Sequence, residues 1–204
     1  MNSNSDYAMN IVSNEQKIDH TLAARIAQGD EQAFAQLVSR FSAPIYSFIY
    51  RMIGSSEESE DLMQETFYSL YKHRRTLRTD TAIHPYLFTI ARRKAISFLR
   101  WRIVRNVLTP LLPSHEKSVE ENGCNPKQYA EQNQTEKLIT DSLAKLHPNK
   151  RAAIILRYFE GLSYSEIAKV MEKPEGTVKS LIFRGEKDMR QRLSTKMDLL
   201  RGES

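Results

Sequence analysis

Residues 161–187 read GLSYSEIAKVMEKPEGTVKSLIFRGEK, two short helical patterns on either side of a proline. Ser163 and Glu166 stand at capping-box spacing, where a hydroxyl and a carboxylate three residues apart satisfy each other's backbone N–H, so a helix is expected to start at Ser163. Ile167, Ala168 and Met171 supply its inner face. It must be short, because Pro174 follows at once. Pro174-Glu175-Gly176 suits the first turn of a new helix, expected to run through Thr177 to Leu193. On this second helix Val178, Ile182, Gly185 and Met189 step by four, three and four and should pack inward, which turns Thr177, Lys179, Ser180, Arg184 and Lys187 outward. Two short helices about a tight turn make a helix-turn-helix, whose second helix enters the major groove of DNA, and the outward groups can bond phosphates or base edges. The competing reading is a plain helical hairpin with a charged surface.

Upstream, Leu143, Leu146, Ala152, Ile154, Ile155, Leu156, Tyr158 and Phe159 predict one or two apolar-faced helices, interrupted at His147-Pro148 and ending at Gly161. Before them, Asn106 to Thr135 holds Pro110, Pro113, Gly123 and Pro126 with no sustained helical period, and reads as a flexible linker. A tether of that length inside one compact domain is unusual, so the chain is expected to be all-α with two small helical domains, residues 20–105 and 136–195. Residues 1–19, rich in Asn and Ser, read as a disordered segment and 196–204 as a tail.

In the first domain, Phe34, Leu37, Val38, Phe41, Ile45, Phe48, Ile49, Met52 and Ile53 recur at three- and four-residue steps from a start near Asp30, with Pro44 expected to bend or divide the helix. After Gly54-Ser55-Ser56 a second helix buries Leu62, Phe67, Leu70 and Tyr71, while Asp61, Gln64, Glu65 and Tyr68 share an outward stripe. A third helix is expected after His84-Pro85, with Leu87, Ile90, Ala91, Ala95, Phe98 and Leu99 inside. Arg92, Arg93, Lys94, Arg100 and Arg102 fall largely off that face, with Tyr86 and Trp101 near the ends. Cations that hold phosphates, interleaved with rings that stack on bases, suit single-stranded nucleic acid; core packing is the plainer role for either ring.

Charge sharpens this pattern. The whole chain of 204 residues is only +5, but Lys72 to Arg105 has ten basic residues against Asp80 alone, while Gly54 to Thr66 has five acids and no Lys or Arg. An acidic edge therefore adjoins a basic one, and Glu136 to Arg201 is again basic, fourteen against nine. The single cysteine, Cys124, excludes a disulfide scaffold or a cysteine-built zinc cluster and suits a reducing cytoplasm; in the linker it reads as an incidental thiol, with a redox sensor the less favoured alternative. No apolar run approaches the ~18 residues of a membrane span, and the start lacks a signal-peptide pattern. The five histidines are dispersed and no phosphate-cradling glycine loop is present, so no metal, cofactor, small-molecule substrate or catalytic group is expected. His84 reads as a loop residue rather than a ligand.

These residues resemble the extracytoplasmic-function class of bacterial RNA polymerase sigma factors. Glu60-Asp61-Leu62-Met63-Gln64-Glu65-Thr66-Phe67 is similar to the family's stretch that docks on the clamp helices of the polymerase largest subunit. The resemblance thus implies that Asp61, Leu62, Gln64, Glu65, Phe67 and Tyr68 bind core polymerase, whose flap is a second expected contact. Ile83-His84-Pro85-Tyr86-Leu87-Phe88-Thr89-Ile90-Ala91-Arg92 is similar to the segment that captures and melts the minus-ten element, with Leu77 to His84 as the loop that holds a flipped base. Arg75, Arg78, His84, Tyr86, Arg92, Arg93, Lys94, Arg100 and Trp101 are then the implied minus-ten contacts. Residues 157–168 and 176–180 are close to the family's reader of the minus-thirty-five element, implying contacts by Ser165, Thr177, Lys179, Ser180, Leu181, Arg184 and Lys187.

Departures from the family pattern matter too. Arg93 and Ser97 stand where Asn and Asp are frequent, Leu181 replaces a usual Arg and could touch a thymine methyl, and Gly185-Glu186 replaces Ala-Arg. An unusual or weak minus-thirty-five contact is expected. The resemblance also implies promoter DNA and an anti-sigma factor as partners, and no covalent chemistry. The rival reading is a free-standing helix-turn-helix regulator that binds duplex DNA without polymerase.

Overall fold

The computed structural model describes residues 21–77, 82–108 and 138–201, so the segment 1–19, Arg78, Cys124, most of the expected linker and the last three residues lie outside it. Among the described residues the fold is all-helical: α1 (21–27), α2 (Glu31–Ile53), α3 (Ser56–Lys72), a 3-10 turn (Arg74–Thr76), α4 (Ile83–Leu108), α5 (138–144), α6 (Pro148–Tyr158), α7 (Tyr164–Met171) and α8 (Glu175–Arg201).

Short-range signals account for most of these ends. Asp30 caps α2, accepting from the Ala33 N–H at 3.0 Å, and that bond, reinforced by Arg25 at 2.8 Å, holds its carboxyl below the usual range. Gly54 closes α2 in the left-handed conformation, φ 77°, its N–H reaching Tyr50 O at 2.8 Å. Ser163 and Glu166 form the expected capping box of α7, and Pro148 occupies the first turn of α6.

Four expectations shift. Pro44 does not divide α2, because Phe41, Ile45, Phe48 and Ile49 on either side are buried and tertiary packing outweighs one missing backbone bond. α4 starts at Ile83, ahead of His84-Pro85, which is sterically allowed because the first-turn N–H groups have no partner inside the helix. It also runs to Leu108, taking up the first residues of the expected linker. α8 passes Leu193 and continues to Arg201, since no proline or glycine interrupts it after Gly185.

Helices α2, α3 and α4 pack on one another around Leu37, Phe48, Leu70, Leu87 and Phe88, and α6, α7 and α8 around Ile155, Ile167, Val178 and Ile182. The two groups do not stand apart. α4 lies against α7 and α2 against α6, and the buried side chains make one continuous cluster. Gly185 lets α8 approach α6: a Cβ there would sit 2.9 Å from Ile154 Cγ1.

Candidate functional site

On α3 the polar stripe forms as expected. Asp61, Gln64 and Glu65 are exposed and Tyr68 is 65 % exposed, while Leu62 and Phe67 turn into the core. Beside the stripe, Gln64 and Tyr68 share an apolar groove of about 520 Å³ with Phe34, Val38, Met63 and Tyr71, so α2 contributes to this face. Phe34 and Val38 follow the helical period of the α2 core residues and are partly buried against the core while they line this groove.

The basic face of α4 is largely engaged. Arg92 is 8 % exposed and lies between α4 and α7, donating to Val170 O at 3.1 Å and to Met171 O at 3.4 Å. Burial lowers its pKa below the usual guanidinium value, against the opposing pull of Glu172. Exposed Arg93 pairs with Glu172, and Lys94 pairs with Glu65 of the α3 stripe at 2.8 Å. His84 is inside α4 rather than in a loop, its ring 5.4 Å from Phe41 and 5.1 Å from Phe88. Tyr86 is half-buried against the core and Arg75 is exposed on the 3-10 turn. Farther along, Arg100 is exposed and Trp101 is 51 % exposed, with the Arg105 guanidinium 5.1 Å above its ring. Ile103 and Val104, absent from the sequence reading, extend this end of α4 as an exposed apolar strip.

The helix-turn-helix presents a more open surface. Ser165 on α7 and Thr177, Lys179, Ser180, Arg184 and Lys187 on α8 are all exposed. Lys179 pairs with Glu175 one turn earlier at 2.9 Å, which raises its pKa, and its ammonium sits 5.5 Å over the Tyr164 ring. Leu181 differs from expectation: it is half-buried at the edge of the core, because it stands three residues after Val178 and four before Gly185 and so flanks the inner face of α8. The outward apolar residue is instead Phe183, 70 % exposed, and its place one turn from Ser180 and Lys187 was the available signal. Glu186 is held by the Tyr158 hydroxyl, which donates to it; that bond raises the Tyr158 pKa. Among the described residues no group of three or more His, Cys, Asp or Glu could hold a metal ion, and no helix is long and apolar enough to cross a membrane.

The same two blocks match known families. Sigma-70 region 2 matches residues 37–103, and Sigma-70, region 4 matches residues 136–189. The ECF RNA polymerase sigma-E factor of Haemophilus influenzae is 31 % identical over 182 residues, which cover 83 % of this chain and 92 % of that protein. The RNA polymerase sigma-H factor of Pseudomonas aeruginosa is 32 % identical over 174 residues, covering 83 % and 90 %. In fold, the chain is similar to CnrH, solved in complex with the cytosolic domain of CnrY, with a TM-score of 0.65 at 22 % identity over 92 % of this chain and 99 % of that one. It is also similar to the sigma factor RpoE of Bartonella quintana, solved with the anti-sigma factor NepR, at a TM-score of 0.60 and 20 % identity over 79 % and 96 %. With both blocks matched in order and relatives alike over most of their length, the chain belongs to the extracytoplasmic-function sigma factors of RNA polymerase.

Proposed function

We propose that this alternative sigma factor docks on the polymerase clamp helices through the α3 stripe, holds the minus-ten strand on α4 and reads the minus-thirty-five element with α8. The observation that carries the reading is that each family block presents its own polar face: Asp61, Gln64, Glu65 and Tyr68 in one, Thr177, Ser180, Arg184 and Lys187 in the other. Polymerase supplies affinity and catalysis, so the chain itself needs no covalent chemistry. Its faces add base contacts of about 1–3 kcal/mol each, and selectivity comes from requiring both elements at one spacing. Melting requires α4 to prefer unpaired DNA; Trp101 and Arg100, exposed together, offer a ring face and a phosphate partner.

A free-standing regulator is not favoured, because it leaves the region 2 block without a role. The sigma factor RpoE of Bartonella quintana was solved with an anti-sigma factor, and we infer a partner of that class here and a cytoplasmic place of action. The test separates two steps. Asp61→Ala and Gln64→Ala are expected to weaken capture of core polymerase about tenfold. Arg100→Ala and Trp101→Ala should leave capture intact and reduce permanganate-reactive promoter melting by a similar factor. Equal losses in both steps for all four variants would overturn the assignment.

A further inference from the structure

Each half of the molecule sends one arginine into the other. From the first half, Arg92 on α4 donates through Nε to Val170 O at 3.1 Å and through Nη2 to Met171 O at 3.4 Å, with Glu172 Oε2 at 3.8 Å. From the second half, Arg151 on α6 donates to Met52 O in the last turn of α2 while also holding Ala144 O and, at 3.1 Å, Leu146 O. Arg92 is 8 % exposed and Arg151 5 %. Both targets are helix C-termini, where the last carbonyls lack an intrahelical partner and the dipole favours a cation.

Neighbouring groups reinforce both contacts. Glu172, which ends α7 in a left-handed conformation at φ 55°, turns its carboxylate to Arg92 and Arg93. Arg51 of α2 stands 4.3 Å over the Phe159 ring just after α6. Burial lowers both guanidinium pKa values, Arg151 to about 10, with Arg102 adding a like-charge push. Both carbonyl partners of Arg92 and one of the three of Arg151 belong to the opposite half, so separating the halves strips these buried cations of acceptors.

We propose that Arg92 in the end of α7 and Arg151 in the end of α2 form a two-point latch that keeps the free chain closed. Because Arg92 cannot hold these carbonyls and a DNA phosphate together, the closed form withholds part of the minus-ten face until the halves separate. The DNA part rests on the promoter reading given above; the latch itself does not. Apparent affinity for the minus-ten strand is reduced by the fraction of molecules that are open.

The experiment uses the full chain with Cys124→Ser and spin labels on cysteines placed by Glu57→Cys and Arg190→Cys, both exposed positions outside the proposed faces. The unlatched variants are Arg151→Gln, which keeps a donor for its own half, and Glu172→Lys, which sets a surface ammonium against Arg92 and Arg93. The parent should show one narrow label distance, and each variant a broader distribution reaching longer distances. Arg151→Gln should also bind a fluorescent single-stranded minus-ten oligonucleotide about tenfold more tightly, although it has lost a positive charge. A parent as broad as the variants, or variants as narrow as the parent, overturns the latch. Should Arg151→Gln not fold, Glu172→Lys decides the question, because its site is on the surface. Opening without tighter oligonucleotide binding overturns the DNA part alone.

Discussion

On α8 the outward groups Thr177, Ser180, Arg184 and Lys187 all reach solvent, whereas on α4 Arg92 is buried, Arg93 is paired with Glu172 and Lys94 is tied to Glu65. Both helices carry runs of basic residues of similar density in the sequence. What separates them is the opposite surface: α8 packs on α6 and α7 with one side only, while α4 lies between α3 and α7. Charge is a property of the chain, but its availability to a polyanion is a property of packing.

The largest effect expected from breaking the α4 arrangement comes from Arg151→Ala. It strips carbonyl partners from three places at once and should cost about 3 kcal/mol, read as a lower urea midpoint. Next, Arg92→Ala should cost about 2 kcal/mol and Arg184→Ala under about 0.5 kcal/mol, since one arginine is packed between helices and the other is in water. Equal urea midpoints for these two variants would erase the distinction between the faces. Gly185→Ala tests the scaffold beneath the open face. Its Cβ would press on Ile154, a strain of roughly 1–3 kcal/mol that the gain of about 1 kcal/mol in helix propensity offsets only partly, for a net loss near 1 kcal/mol.

A further effect, comparable to that of Gly185→Ala, depends on pH. Glu160, half-buried after α6, has its pKa raised to about 7 by burial, partly opposed by Arg51. A carboxyl whose folded pKa exceeds its unfolded value binds more protons in the native state, so its stabilising term is complete below about pH 4.5 and is lost as pH rises through 7. Glu160→Gln should flatten the stability profile between those values by about 1 kcal/mol once partial solvent screening is allowed for, as followed by thermal melts across pH. A variant with the parental slope would remove Glu160 from the account.

The helix-turn-helix was legible almost to the residue, because Ser163, Glu166 and Pro174 act on backbone groups within one turn of themselves. The α3 stripe was legible for the same reason: Asp61, Gln64 and Tyr68 stand apart from Leu62, Thr66 and Phe67 by helical period alone. Less legible were Pro44, His84 and Leu181. A proline is tolerated when the apolar residues around it are held by other helices, a histidine becomes an aromatic spacer when Phe41 and Phe88 flank it, and a leucine beside the inner face is half-covered by the core it borders.

By itself the chain's order of residues determined the helical class, most of the starts and stops, and the alternation of acidic and basic stretches, because capping, periodicity and proline geometry operate over a few residues. Only the tertiary structure decided that the two halves close on each other and that Arg92 faces carbonyls rather than solvent. The partners of Arg92 and Arg151 across that junction lie 78, 79 and 99 residues away along the chain, and contacts at such separations exist only once helices have packed.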